Sequence, residues 1–477
     1  MADKTPLTET HLQNAQATIP NIPAEITARI DRLPSCWVFW RLIALLSLGG
    51  FFEMYDLFQT AYLSPGLLSG GIFHAGAKGL FGLTDQATFA AATFAGLFIG
   101  TIVFGSVADR YGRRAIFTIS LLWYTAASLA MSMQSTSVGV DLCRLIAGIG
   151  IGVELVTIDA YISELAPRDL RGRAFAVNQS IQFAAIPVLA LISSILIPRA
   201  PLGIPGWRWV VILGASAAIA VWFIRRSIPE SPRWLAQQGR FDDARAAIAG
   251  IEARVEAELG HALSEPVATA SEAGGTGKFS EIWVPPYRRR TWMLMVFNFF
   301  QTIGFYGFGN WVPALMASKG ANVTNSLQYS TIIAFMYPIG PLLCLAFADK
   351  YERKWQIVTA AIGTASFGLL FAQQSRPGML IFLGMLITLS NNLLSYSYHA
   401  YQAELFPTRI RARAIGFVYS WSRLSTILTS FMIAFFLQNF GANGVFVFIA
   451  GSMLMVVLSI GIFGPRTAGL ALEEISH

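Results

Sequence analysis

Charge is scarce in this chain. Asp, Glu, Lys and Arg together make up 13% of its 477 residues, about half the roughly 25% of a soluble globular domain. A soluble protein of this size could not cover its exterior with so few charges. Cysteine is scarcer still. Cys36, Cys143 and Cys344 offer neither a disulfide framework nor metal-ligand spacing. Two of them fall inside apolar blocks, where a free thiol serves as a small core residue. No basic stripe exists either, because the 34 Lys and Arg sit between apolar blocks, and this argues against nucleic-acid binding. The first 34 residues are polar and mixed in charge, without a short apolar run or a cleavage site, and read as a cytoplasmic tail rather than a signal peptide. No nucleophile–base pair, metal cluster or cofactor loop is visible. An enzyme is therefore disfavoured, and neither a metal nor a cofactor is expected.

Apolar sequence is what the chain has. Hydrophobic residues reach 54%, mean hydropathy is +0.54, and the apolar residues cluster in blocks long enough to cross a hydrocarbon core of about 30 Å as helices. Six blocks cover 37–63, 87–107, 115–133, 140–163, 174–196 and 207–224. After a polar stretch, six more cover 291–317, 328–348, 355–373, 379–403, 413–437 and 445–463. The expectation is an all-α, multi-pass membrane protein with 12 transmembrane helices. With the amino terminus inside, the inner segments hold 27 of the 34 Lys and Arg. The outer loops hold only Lys78, Arg199, Arg208, Lys319 and Arg376. The positive-inside rule then places both termini and the central loop in the cytoplasm. The domain plan is a tail at 1–36, a six-helix half at 37–224, a linker at 225–290, a second half at 291–463 and a tail at 464–477.

The halves are related. GSVADRYGRR from Gly105 aligns with LAFADKYERK from Leu345, pairing Asp109 with Asp349 and Arg113 with Arg353. ELAPRDLRGRA from Glu164 aligns with ELFPTRIRARA at the same offset, pairing Glu164 with Glu404, Arg171 with Arg411 and Arg173 with Arg413. Two motifs sharing one offset indicate a duplication, the plan of many secondary transporters, whose substrate site lies near the midplane between the halves. The acids and bases of these loops are candidates for a cytoplasmic gate that pairs when that side closes. Their other reading is as topology signals alone.

Charges inside spans are costly and mark functional positions. Glu53 and Asp56 lie three residues apart on one face of the first span. The fourth carries Arg144 and Glu154. Asp159, nearer the cytoplasmic end, reads as a solvated acid without an assigned role. Gly148, Gly150 and Gly152 permit close helix approach. They lack the spacing and the preceding strand of a dinucleotide loop. Rings and amides are dense elsewhere: Phe300, Gln301, Tyr306, Asn310 and Trp311 in the seventh block, Asn392, Tyr396 and His399 in the tenth, Trp421 and Arg423 in the eleventh, and Gln179 and Gln182 in the fifth. Aromatic walls with a few polar groups suit a small-molecule site. Arg144 and Arg423 favour a flat carboxylate, although many of the rings would serve equally well for packing.

These motifs together (GSVADRYGRR, RLIAGIGIG from Arg144, ELAPRDLRGR and PESPRWL from Pro229) resemble the major facilitator superfamily, in its sugar-porter-like branch. GVELV around Glu154 and QTIGFYGFGNWVP from Gln301 are similar to niacin-type relatives of the synaptic vesicle glycoprotein 2 group. The resemblance implies the major facilitator fold of two pseudo-symmetric six-helix bundles. It implies that Asp56 is the proton carrier with Arg144 as its counter-ion, a fixed ion pair being the other reading of the two. It implies that Glu230 and Arg233 join the gate network, and that 241–259 forms an amphipathic helix beneath the first half. Residues 268–277 read as a flexible linker. Glu53 and Glu154 fall outside the sugar pattern; Glu154 serves as a hydrogen-bonding group or a second proton site. The resulting expectation is a monomeric, proton-coupled importer in a bacterial-type inner membrane. Its substrate would be a small organic anion, with nicotinate the best single choice and sugar symport, proton-driven export or solute sensing as alternatives.

Overall fold

The computed structural model describes residues 22–74, 84–104, 111–225, 228–266, 278–347 and 351–467. Asp109 and Asp349 lie outside them, as do residues 268–277 and the side chains of Arg113 and Arg411. The described residues are helical, without strands. The first half contains α1 Ile22–Asp31, α2 Trp37–Tyr62, α3 Ser64–Ser69, α4 Asp85–Phe104, α5 Arg113–Ser132, α6 Ser137–Leu165, α7 Arg171–Phe183, α8 Ala185–Leu196 and α9 Gly206–Arg225. The linker holds α10 Pro232–Gln237 and α11 Phe241–Leu259. The second half contains α12 Tyr287–Gly309, α13 Val312–Ser318, α14 Val323–Ala334, α15 Met336–Phe347, α16 Arg353–Gln373, α17 Pro377–Glu404 and α18 Thr408–Phe463. Helix therefore lies over each of the twelve apolar blocks. Among the described residues, nine helices are long and apolar enough to cross a membrane by length and composition.

Local chemistry explains where the helices break. The eleventh and twelfth blocks form one element, α18, whose direction changes at Gly441 (φ 64°, ψ −164°), a conformation open to glycine alone. The eighth block divides into α14 and α15 just before Pro338 and Pro341, which remove backbone donors. Asn392 on α17 fills that break: its Nδ2 donates to the carbonyls of Met336 (3.0 Å) and Tyr337 (3.3 Å). The amide nitrogen of a side chain expected at the substrate site thus bonds backbone, while its Oδ1 has no partner among the described residues.

Small residues set the closest approach in the first half. Gly96 and Gly100 of α4 lie against the Leu145 and Ile149 carbonyls of α6. Reciprocally, Gly148 and Gly152 of α6 lie against the Thr93 and Leu97 carbonyls of α4. A Cβ at any of the four would overlap backbone, so these helices pack main chain to main chain. Between the halves, α7 and α8 pack on α15 and α14, and α4 packs on α18. The second block of each half thereby meets the element that carries the fifth block of the other, the reciprocity expected of a duplication.

The amino-terminal segment departs from the expected plain tail. α1 turns Ile26 and Ile30 into a core shared with Ile248, Ile251 and Val255 of α11, an i, i+4 stripe already present in its sequence. Charge completes the docking. Arg29 and Arg32 both donate to the Glu252 carboxylate, Arg32 Nη2 at 2.6 Å, and Arg245 pairs with Glu25 at 2.9 Å. Glu258 accepts from the backbone N–H groups of Trp37 and Val38, both at 2.7 Å, and so caps α2. Burial pushes the Glu252 carboxyl up, but Arg29 and Arg32 outweigh it and hold the group below the usual carboxylate range.

Two outcomes follow from this packing. Gly148→Val should lower stability by about 3 kcal/mol through overpacking, whereas Gly172→Ala, with open space at its Cβ, should change it little; thermal unfolding in detergent distinguishes them. A depressed carboxylate stabilises above its unfolded pKa of about 4.3 and loses that contribution as pH falls. Hydrogen exchange across 22–31 should therefore stay slow at neutral pH, rise below about pH 4, and rise already at pH 7 in Glu252→Gln.

Candidate functional site

Two guanidinium groups are buried among the membrane helices, and their surroundings differ. Arg144 on α6 has no exposed surface and Asp56 on α2 is 4% exposed. Nη1 donates to Asp56 Oδ2 at 3.0 Å and Nε to Thr93 Oγ1 at 3.0 Å; Nη2 reaches the backbone carbonyl of Asp56. Ser128 on α5 donates to the other carboxylate oxygen at 2.7 Å. The guanidinium also lies over the Phe89 ring, 5.5 Å from its centroid. Pairing with this many hydrogen bonds offsets the cost of burying two charges. Beside Asp56 is a cavity of about 10 Å³ lined by Tyr55, Gln59, Tyr124, Thr125 and Ser128, room for about one water molecule. Thus Asp56 and Arg144 meet within the first half.

Glu53, one turn earlier, is also buried, but its charge acts across the molecule on Tyr306 of the second half. Glu154 is buried and accepts from Ser120 Oγ at 3.3 Å.

Arg423, on the first arm of α18, is 3% exposed. Its Nη2 donates to Tyr419 Oη at 3.1 Å, and the same ring lies 4.8 Å from the guanidinium carbon. Tyr306 and Tyr398 also face it. Its Nε has no hydrogen-bond partner, and no carboxylate pairs with it among the described residues. The acid that feels its charge is Asp159 on α6, in the other half. His399 stacks on Tyr398 at 4.1 Å and approaches Tyr419. Its Nδ1 donates to the Ser395 carbonyl at 2.7 Å, which fixes the tautomer, since a carbonyl only accepts. His399 and Asp159 are both exposed.

A ring cluster closes over this region. Phe58 meets Tyr337 at 5.6 Å, Phe183 meets Phe305 at 6.1 Å, and Phe94 meets Tyr306 at 5.0 Å, each pair joining one half to the other. Gln182 bonds Asn178 and packs on Gly50 of α2. Gln179 is half-buried, as are Phe300, Tyr396 and Trp421, while Gln301 and Trp311 are buried. Neither polar atom of the buried Asn310 amide has a partner among the described residues.

The loop charges gather at the linker end. Arg353 pairs with Glu404, joining the two motif loops of the second half. Glu230 accepts from the Arg114 backbone N–H at 3.2 Å and sits against Gly112, whose φ of 100° leaves room for its carboxylate. Arg233 donates to the Ser163 carbonyl and to Asp31, each at 3.1 Å, and Asp31 also accepts from the Arg168 backbone. Glu164 and Arg171 are half-buried in the same region and act on Arg233. Arg173 and Arg413 are exposed. Sequence reasoning missed the link through Asp31, and it passed over Asp159; the intramembrane position of Asp159 was the available signal.

An all-helical, multi-pass fold with charged and aromatic groups gathered between its helices defines a membrane transporter rather than an enzyme. Residues 42–477 match the family model described as "Sugar (and other) transporter". The chain belongs to that family, the sugar-porter-like branch of the major facilitator superfamily. It is 31% identical to the putative metabolite transport protein YyaJ of Bacillus subtilis over 92% of this chain and 95% of that one. It is 25% identical to the niacin transporter NiaP of Acinetobacter baylyi over 94% and 99%. Among solved structures, the xylose transporter XylE of Escherichia coli, in a partially occluded inward-open conformation, superimposes with a TM-score of 0.71 at 19% identity. That match covers 91% of this chain and 100% of the other.

Asp56→Asn and Arg144→Gln should each cost about 3–5 kcal/mol, because each strands a buried partner. The double variant should cost less than their sum by about 2 kcal/mol. Unfolding of the four proteins in detergent measures that difference.

Proposed function

We propose that the protein is a proton-coupled importer of a small organic anion, with nicotinate or a similar aromatic carboxylate the best match, working by alternating access in a bacterial-type inner membrane. The observation that carries this reading is Arg423, a buried guanidinium ringed by phenols, with Nε unengaged and no carboxylate paired to it among the described residues. Such a cation inside a membrane protein costs several kcal/mol until an anion meets it, and the surrounding rings suit a flat ligand. The niacin relative supports the choice of nicotinate. The excess of Lys and Arg on the linker side supports a cytoplasmic linker and termini. Asp56, paired to Arg144 beside a water-sized cavity, is the proton carrier: protonation would release the guanidinium and loosen α2 from α6. The Arg353–Glu404 pair and the Glu230 and Arg233 contacts act as the cytoplasmic gate.

Sugar:proton symport is the second reading. It is favoured by the buried Asn310 amide, whose donor and acceptor suit a hydroxyl, and by the xylose transporter's shared fold.

Reconstituted vesicles with an imposed pH gradient test both. Nicotinate should accumulate in wild type, and Arg423→Gln should reduce uptake by about tenfold or more, the worth of a charge-assisted hydrogen bond. Asp56→Asn should abolish pH-driven accumulation while leaving nicotinate exchange between equal pools. Accumulation of xylose or glucose with indifference to carboxylates would overturn the first reading in favour of the second.

A further inference from the structure

We propose that the ligand site has two poles, Arg423 and Asp159, and takes a compound with a carboxylate at one end and a basic or cationic nitrogen at the other. For a basic nitrogen, the proton shared between it and Asp159 crosses with the ligand. The proposal rests on the organic-anion reading above and adds the second half of the ligand to it.

Asp159 follows Gly152 by seven residues, two helical turns, and so lies on the face that α6 presents to α4. Because α18 packs on α4, this is where the two halves meet. Its carboxylate is exposed within a membrane-length helix. Among the described residues it makes no hydrogen bond or ion pair, yet it lies within reach of the Arg423 charge. A carboxylate so placed is tolerated where it borders a water-filled path. Arg423 and Asp159 therefore belong to opposite halves, unpaired with one another and within reach of each other's charge. A ligand with complementary ends would fill that gap and hold the halves together. The titratable and charged groups around it are His399 and Tyr398 on α17, Tyr419 and Arg423 on α18, Tyr306 on α12 and Glu53 on α2. The α4 helix contributes the hydroxyl of Thr101, bonded to the Leu97 and Gly152 carbonyls.

Charge balance makes this proton necessary for loading, in addition to the one on Asp56 that governs the change between the two states. At the two poles alone, Arg423 (+1) and Asp159 (−1) cancel in the unloaded protein, and Glu53 adds the same contribution to every form. A bound carboxylate alone leaves the site at −1, a charge the ring cluster would have to bury. One added proton restores neutrality, whether it sits on Asp159 and is donated to the ligand nitrogen or sits on that nitrogen and is accepted by Asp159. Both forms that cross, empty and fully loaded, are neutral at the poles; the half-loaded form is held back by the cost of an uncompensated buried charge. No bond other than that to the proton forms or breaks.

Binding of nicotinate, benzoate and N-methylnicotinate to the purified full-length protein tests this, with proton uptake followed by an indicator in weak buffer. Benzoate lacks the nitrogen, and N-methylnicotinate carries a fixed cation. Wild type should bind nicotinate with uptake of one proton, N-methylnicotinate with none, and benzoate about tenfold more weakly than either. Asp159→Asn should weaken N-methylnicotinate about tenfold, abolish the nicotinate-linked proton and strengthen benzoate, whose site becomes neutral; Asp159→Glu should preserve the wild-type order. Equal binding of benzoate and nicotinate in wild type, or an equal change for all three ligands in Asp159→Asn, would overturn the two-pole site while leaving the organic-anion reading intact. If no carboxylate bound, the organic-anion reading would fall and this proposal with it.

Discussion

A cation buried in a low-dielectric interior must be answered by an anion, and this protein answers its two buried guanidinium groups differently. Arg144 is fully engaged by Asp56, Thr93 and backbone carbonyls, with Ser128 completing the carboxylate. Arg423 has phenols and a ring face but no carboxylate in direct contact. The first arrangement ties α2, α5 and α6 into one half. The second leaves a demand at the boundary between halves that a ligand would meet. Without the low dielectric, neither arrangement would carry much energy, since ion pairs in water are worth little.

The contacts between halves suit a structure that opens. Phe58 and Phe183 meet Tyr337 through ring edges, and rings can separate without stranding a hydrogen-bond donor. Within the first half the opposite holds. The glycines of α4 and α6 bring backbones together so closely that the pair moves as a unit. At the linker end, charged contacts connect α1 and α10 to α6 and the loop after it, and Glu230 accepts from the start of α5. Asp31 joins the Arg168 backbone to Arg233.

Part of the site was legible in the sequence because membranes penalise buried charge. Asp56 and Arg144 were visible as charges within apolar runs, and the resemblance paired them. Arg423 was visible on the same ground. Asn392 has a second use that its sequence did not show: its amide nitrogen bonds carbonyls of α15 while its amide oxygen has no partner among the described residues. Asp159 was passed over because its nearness to a helix end suggested simple solvation. It is exposed, but it also lies within reach of the Arg423 charge. The apolar stripe of α1 went unread beneath a polar average composition.

The sequence by itself determined the helical class, the duplication and the placement of the membrane helices, because hydrophobic run length, motif offset and glycine or proline breaks are local properties of a chain. Tertiary structure alone decided which charges meet. Asp56 and Arg144 are far apart in sequence, and Asp159 and Arg423 farther still. Their relation depends on helix rotation and on which half each helix packs against. Those follow from the summed contacts of many side chains, and no short window of sequence contains them.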